Sequence, residues 1–287
     1  QLAQKRNLDS SSAALTFPFM PSELVQESGI LYGINKSNNS LVILDRFSLH
    51  NANSITFAQS GAGKSYTTKV EILRQLMQGT HVIVIDPERE YKRLADSVDG
   101  TYIKLSAKSK QKINPFDLAT TFHEINDLSE HTQDLMDVIG LMAESLTARE
   151  KAAVDKAILK IYRHAKKQQP LLEDLYAELR KLGQLKLCEK LEKYISGSLA
   201  DVFNAQTNVK LDNRLVIFDI KDLPENLRQI MMLIISNFVK NQVMAKPEKR
   251  LLVIDEGWIL LQHEESARFV AGLVRRARKY YLGVSII

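Results

Sequence analysis

The run Ala58-Gln-Ser-Gly-Ala-Gly-Lys-Ser65 sets two glycines, a lysine and a hydroxyl in an order suited to holding phosphate. Small residues let the backbone double back with its N–H groups turned inward, and the helix that follows adds the partial positive charge of its N-terminus. Lys64 has the reach for β- and γ-phosphate oxygens, and the Ser65 hydroxyl can ligate Mg2+. Ala58 stands where the strict pattern has glycine, so the match is to a relaxed form; alanine fits the turn but tolerates positive φ less well. The ligands expected are ATP and Mg2+, with Ser60, Gly61, Ala62, Gly63, Lys64, Ser65 and Tyr66 as the contacting residues.

A phosphate loop needs a magnesium carboxylate before it can hydrolyse anything. Arg250-Leu-Leu-Val-Ile-Asp-Glu256 reads as a buried strand running into two acids, which places both at the carboxyl edge of a sheet. Asp255 is the candidate second Mg2+ ligand beside Ser65, and Glu256 the group that polarises the attacking water. Asp86 closes another apolar run in Ile85-Asp-Pro-Glu-Arg-Glu90. Asp86 and Glu88 fit either a place beside the γ-phosphate or a turn leading into a helix, since Asp-Pro opens turns and a glutamate suits a helix start. Arg275, Arg276 and Arg278 crowd one short helix, where an arginine could serve a neighbouring subunit's nucleotide or simply face solvent. Trp258 reads as a packing residue that fixes the turn after the acids.

These groups must be positioned by alternating strands and helices. Ile55–Ala58 predicts a strand entering the loop, Lys64–Met77 a helix stopped by Gly79, and His81–Asp86 a strand buried on both faces. Together they form a βαβ unit. Leu215–Ile220, Leu251–Asp255 and Gly283–Ile287 continue the strands, with a helix over Gln229–Gln242. Between them, 117–207 lacks strand signals; Thr147-Ala-Arg-Glu150 is a capping box, Pro170 suits a first helical turn, and Gly183 a helix end. The fold class expected is α/β: a P-loop nucleotide-binding domain over 29–116 and 208–287, its sheet mainly parallel, with an inserted all-helical lobe at 117–207. Residues 1–28 read as a linker or arm, and Gly29–Asn35 with Leu41–Arg46 as a hairpin around a polar loop.

The 287 residues, 45% hydrophobic and 25% charged, have the composition of an ordinary globular protein. The single cysteine, Cys188, excludes an internal disulfide and reads as a buried or half-buried thiol in a helix. No apolar run approaches the ~20 residues that span a bilayer, and no signal-peptide pattern occurs. Net charge is +5, with Lys104, Lys108, Lys110 and Lys112 in an acid-free stretch that could meet phosphate, including that of DNA, or face solvent. The start at Gln1 and the finish in an apolar run are what a piece of a longer chain would show.

Read in order, Phe57–Ser65, Ile85-Asp-Pro-Glu-Arg-Glu-Tyr91, Ile113-Asn-Pro-Phe-Asp117 and Val253-Ile-Asp-Glu-Gly-Trp258 resemble the conjugation and type IV secretion ATPases of the TraC/VirB type (the fourth VirB component). Leu31-Tyr-Gly-Ile-Asn35 extends the resemblance over nearly the whole chain. It implies a RecA-like carboxyl-terminal ATPase domain of the HerA/FtsK superfamily with a helical lobe inserted, working as a ring, a hexamer when active, with nucleotide at subunit interfaces. Arg278-Lys279 matches the family's basic pair before the last strand, so the resemblance selects Arg278 as the arginine supplied in trans. Gly257 stands where alanine is more usual. Family members continue beyond the last strand into a Thr-Gln sensor and carry an amino-terminal domain, so the resemblance implies a site completed by a neighbour and by further chain. It also implies a cytoplasmic place, peripheral to the inner face of the cell membrane, among other secretion components. Two other functions fit the same residues: a double-stranded DNA translocase, and a nucleotide-gated scaffold that scarcely turns over.

Overall fold

A computed structural model describes residues 25–59, 61–118, 125–165 and 168–287, with backbone alone at 125–127. It divides into two compact units at Asp45/Arg46. The first holds an antiparallel hairpin of β1 (Ile30–Ile34) and β2 (Leu41–Leu44), closed by a polar turn in which Asn35 N–H donates to Ser40 O at 2.8 Å. Gly29 precedes it at φ 129°, where a Cβ would lie 2.3 Å from the backbone of Leu44.

In the second unit, β4 (His81–Asp86), β6 (Leu215–Asp219) and β7 (Arg250–Ile254) are apolar at nearly every position because helices cover both faces of their sheet. Parallel pairing joins them to β3 (Ser54–Ile55), β5 (Thr101–Lys104) and β8 (Leu282–Ile286) in the order β3-β8-β7-β4-β6-β5. Alternate residues of each strand serve opposite faces. Val82, Val84, Ile217, Leu251 and Val253 pack with Ile72 of α1 (Lys64–Met77) and Leu94 of α2 (Lys92–Ser97). Ile83, Ile85, Val216, Phe218, Leu252 and Ile254 enter a larger cluster with the remaining helices.

Those helices are α3 (Ile125–Met142), α4 (Ala148–His164), α5 (Leu172–Lys181), α6 (Leu185–Leu191), α7 (Ala200–Phe203), α8 (Glu225–Ala245) and α9 (Glu264–Ala277). The stretch read as an inserted lobe supplies α3 to α7, and its side chains Leu135, Ile139, Val154, Ile158 and Leu175 belong to the same apolar cluster as the sheet. The capping box forms as expected: Glu150 N–H donates to Thr147 Oγ1, and Thr147 N–H to Glu150 Oε2. Cys188 is a buried free thiol in α6. The strand predicted at 55–58 is shorter, ending at Ile55. Of the predicted arm, 1–24 lies outside the described residues.

The Asn-Pro-Phe-Asp motif sits where the chain leaves the sheet for the helices. Asn114 is buried: its Nδ2 donates to Pro170 O at 2.9 Å, its Oδ1 accepts Phe116 N–H, and its own N–H reaches Thr207 Oγ1 at 2.7 Å. Tyr162 of α4 donates to Phe116 O at 2.6 Å, and Asn241 of α8 to Asp117 O at 2.9 Å.

Candidate nucleotide-binding site

All six strands run parallel, so their carboxyl ends share one edge, and there the phosphate loop and the acidic turn meet. β8 lies between the loop's strand, β3, and the acidic strand, β7. Gly61 at φ 79° and Gly63 at φ 88° supply the left-handed residues that turn the loop, and Ala62 N–H closes it onto Gln59 O at 3.1 Å. Helix α1 then starts with no side-chain cap and no acid in its first turn, which leaves its leading N–H groups to an anion. Ser60 lies outside the described residues. Tyr66 is exposed on α1 and Ser65 half-buried.

Arg46 anchors both ends of this loop. It is buried, donates to Ala52 O at 2.8 Å and to Ser54 Oγ of β3 at 2.7 Å, and pairs with Glu71 of α1 at 2.8 Å. Ser54 Oγ in turn bonds Ser285 Oγ of β8 at 2.8 Å.

The Lys64 ammonium reaches across to Glu256 Oε1 at 3.1 Å and stands 3.7 Å from Asp255 Oδ1. Asp255 is 1% exposed; burial raises its carboxyl to about 6, against the pull of Lys64 and of the Glu256 N–H. At Glu256, burial acts to raise the carboxyl, but hydrogen bonds from Trp258 and Lys64 outweigh it and hold it below the ordinary range. Glu256 sits at φ 50°, a left-handed conformation that a side chain disfavours. The following turn holds it there, because Gly257 N–H donates to Ile287 O at 2.8 Å and a Cβ on Gly257 would lie 2.5 Å from Ile286 Cγ2. Glycine at 257 is therefore matched to an isoleucine at 286.

Asp86 and Glu88 are drawn elsewhere. Both carboxylate oxygens of Asp86, wholly buried, accept backbone N–H groups, Oδ1 from Glu90 at 3.0 Å and Oδ2 from Tyr91 at 2.9 Å. Burial raises the Asp86 carboxyl, and those N–H groups oppose the rise. Glu88 pairs with Arg228 of α8 at 3.0 Å and with Lys221 at 3.6 Å. Beside them Arg89, at φ 60°, bridges Asp219 and Asp222 at 2.6 Å each, and Tyr102 OH donates to Asp219. Lys104, one of the lysines in the acid-free stretch, closes this network on Asp222 at 2.5 Å.

Tyr91 had no chemical role in the sequence reading. It is wholly buried, and among the described residues its hydroxyl has no hydrogen bond of ordinary geometry although it lies close enough to Asp255 to feel its charge. Burial first, and then that carboxylate, raise the phenol far above its usual range. Trp258, expected from the sequence to pack and fix the turn, also makes a hydrogen bond. It is 51% exposed, and its indole N–H donates to Glu256 Oε2 at 2.5 Å, so it holds the glutamate as well as the turn.

Arg278 lies at the opposite edge of the sheet. It is exposed in the turn between α9 and β8, and β8 begins opposite Arg250 at the start of β7. The length of β7, at about 3.3 Å per residue, separates that edge from Asp255, well beyond the reach of one side chain. Among the described residues the Arg278 guanidinium has no ion-pair or hydrogen-bond partner, while its backbone carbonyl accepts Tyr281 N–H at 3.2 Å. Arg276 is engaged, pairing with Glu130 at 2.9 Å.

Residues 39–287 match the profile of the TraG P-loop domain. The chain belongs to that family. Protein TraC of Escherichia coli (strain K12) is 24% identical over 301 residues, covering 95% of this chain and 33% of TraC, so the chain spans about a third of that relative. VirB4 of Thermoanaerobacter pseudethanolicus has a similar structure, with a TM-score of 0.79 and 28% identity over 93% of this chain and 78% of that one. The plasmid coupling protein TrwB, in complex with the non-hydrolysable analogue ADPNP, aligns with a TM-score of 0.56 and 13% identity over 92% of this chain and 68% of its own, a likeness of fold. TrwB has also been solved with ADP and Mg2+, with a TM-score of 0.52 and 13% identity over 82% of this chain and 62% of that one.

The residues of this TraG P-loop domain fit a magnesium ion shared with phosphate. Ser65 and Asp255 are hard oxygen donors, and a buried carboxylate raised to about 6 is one that gains from a cation. Among the described residues no group of three or more His, Cys, Asp or Glu could hold a metal by itself, and a nucleotide-bound magnesium requires none. Among the described residues no helix is long and apolar enough to cross a membrane.

Proposed function

We propose that this chain is the ATP-hydrolysing domain of a conjugative-transfer or type IV secretion motor. The observation that supports it most directly is the convergence of Lys64, Asp255 and Glu256 at one sheet edge, in a chain of the TraG P-loop family. The loop amides of Gly61 to Ser65 and the start of α1 bind the phosphates, and Lys64 exchanges its carboxylate partners for the β/γ-phosphates. Ser65 and Asp255 would hold Mg2+, which would supply screening of the phosphate charge. Glu256 orients and polarises the water. Arg278, out of reach of its own chain's site, serves a neighbouring copy's nucleotide in a ring. Asp86 and Glu88 fix the neighbouring turn rather than the phosphate. The motor works at the cytoplasmic face of the inner membrane with other secretion components, as the likeness to TraC and VirB4 suggests.

Steady-state ATP turnover by the full-length protein, with and without Mg2+, tests this reading. Lys64→Ala loses turnover with nucleotide binding; Glu256→Gln keeps binding and loses turnover by about a hundredfold or more. Turnover that survives Glu256→Gln refutes the hydrolytic reading and leaves a nucleotide-gated scaffold. Turnover that rises steeply with double-stranded DNA at low salt would make the motor a DNA translocase instead.

A further inference from the structure

Two donors divide the Glu256 carboxylate between them. Lys64 takes Oε1 at 3.1 Å, and the indole N–H of Trp258 takes Oε2 at 2.5 Å. Only one of these donors has a reason to leave. A bound triphosphate competes for the Lys64 ammonium with several anionic oxygens, whereas an indole N–H is a neutral donor with little affinity for phosphate's charge and no acceptor capacity. Oε1 is then vacated while Oε2 stays tethered.

The rest of the turn is built to keep the tether in register. Glu256 is held left-handed at φ 50°, Gly257 is pinned to Ile287 O, and Ile259 N–H returns to Glu256 O at 3.0 Å. Trp258 is half exposed, with its N–H turned to the carboxylate.

We propose that Trp258 is a positioning residue for Glu256: its indole N–H fixes Oε2, so that Oε1, released when Lys64 turns to phosphate, faces the reacting water in a single orientation. Binding of nucleotide and readiness of the glutamate are thereby coupled through one carboxylate. The inference rests on the proposed hydrolytic role of Glu256.

Trp258→Phe in the full-length protein tests it. The ring is retained and the donor removed at a half-exposed position, so the fold and KM for ATP stay as in wild type while kcat falls about ten- to a hundredfold, the usual scale for an outer-shell partner. Retained kcat overturns the proposal, and so does a parallel loss of kcat, nucleotide affinity and thermal midpoint. A second readout uses nucleotide-free protein. The wild-type minus Trp258→Phe fluorescence difference isolates this indole, the sole tryptophan of the chain. Its emission shifts in Glu256→Gln, where the anionic acceptor is gone, and changes little when ADPNP is added to wild type. Where Trp258→Phe fails to fold, the wild-type minus Glu256→Gln emission difference is read directly, and its absence overturns the proposal. Loss of turnover in Glu256→Gln with full kcat in Trp258→Phe sinks the tether and leaves the ATPase reading standing; turnover retained in Glu256→Gln sinks that reading itself.

Discussion

Replacing Asp255 with asparagine makes the nucleotide-free protein more stable while removing its magnesium carboxylate. An ordinary aspartate titrates near 3.8, and burial raises this one to about 6 even with Lys64 3.7 Å away. At about 1.4 kcal/mol per pH unit, the difference is about 3 kcal/mol. The sign follows from proton counting. Between pH 3.8 and about 6 the folded chain holds a proton that the unfolded chain has released, so stability falls as pH rises through this window. Above about 6 the whole penalty applies; at pH 5 about half of it does. Asparagine does not titrate and escapes the penalty.

The assay is thermal or urea unfolding in EDTA without nucleotide, at pH 7.5 and pH 5. Asp255→Asn should gain about 3 kcal/mol at the higher pH, or about 6–12 °C in midpoint, and roughly half as much at the lower. Saturating Mg2+ and nucleotide should reverse the order, because only wild type gains the binding energy of the metal. An Asp255→Asn protein no more stable than wild type at pH 7.5, or equally stabilised at both pH values, refutes the argument that this acid is held at an energetic loss for function.

Two further substitutions probe what positions the site. Lys240 of α8 is a buried ammonium paired with Asp134 at 2.5 Å and with Glu130, both on α3; Lys240→Met strands a buried carboxylate and should lose about 3–5 kcal/mol in denaturant melts, most of it recovered in Lys240→Met/Asp134→Leu. Gly257→Ala drives a methyl to 2.5 Å from Ile286 Cγ2, and should lose about 1–3 kcal/mol in the same melts and impair turnover by displacing Glu256. Shortening the opposing side chain with Ile286→Ala should restore turnover in the double variant.

The parts of the fold that were legible are those whose burial is total. His81–Asp86, Leu215–Asp219 and Arg250–Ile254 are apolar along their length because both faces are covered, and such runs stand out in any sequence. β5 went unread for the opposite reason. Thr101-Tyr-Ile-Lys104 is a short edge strand in which only Ile103 is fully buried, so four residues carry too little pattern. Lys64, Asp255 and Glu256 stand out as candidates because their motifs fix residue type and spacing together, and the fold brings the three side chains to one place. Trp258 was not, because a tryptophan after an acidic turn has no spacing rule that separates a hydrogen-bond donor from a packing ring. Asp86 could be placed at a turn or at phosphate equally well from its dipeptide, and only the two N–H groups on its carboxylate distinguish them.

One motif of the family resemblance, Asn114-Pro-Phe-Asp117, carries none of the proposed chemistry, and its surroundings account for its residue types. The chain must leave a parallel sheet, travel through α3 to α7, and return to β6 with its backbone polar groups satisfied inside an apolar cluster. Asn114 meets that demand with one side chain, bonding the Pro170 carbonyl on the outward path and the Phe116 amide in its own turn, while its N–H takes Thr207 on the return. A leucine there would keep the burial and leave those groups unpaired; an aspartate would lose the donor that Pro170 needs. Phe116, with no exposure, anchors the same joint in the large core, and its carbonyl takes the Tyr162 hydroxyl from α4. The helices and the sheet share one core beside this joint, and ion pairs tie α3 to its neighbours: Asp134 and Glu130 to Lys240 of α8, and Glu130 to Arg276 of α9. Helix α9 ends at Ala277, and the next residue is Arg278. In the proposed ring, the arginine offered to a neighbour's nucleotide would thus directly follow the helix that Arg276 ties to Glu130 of α3.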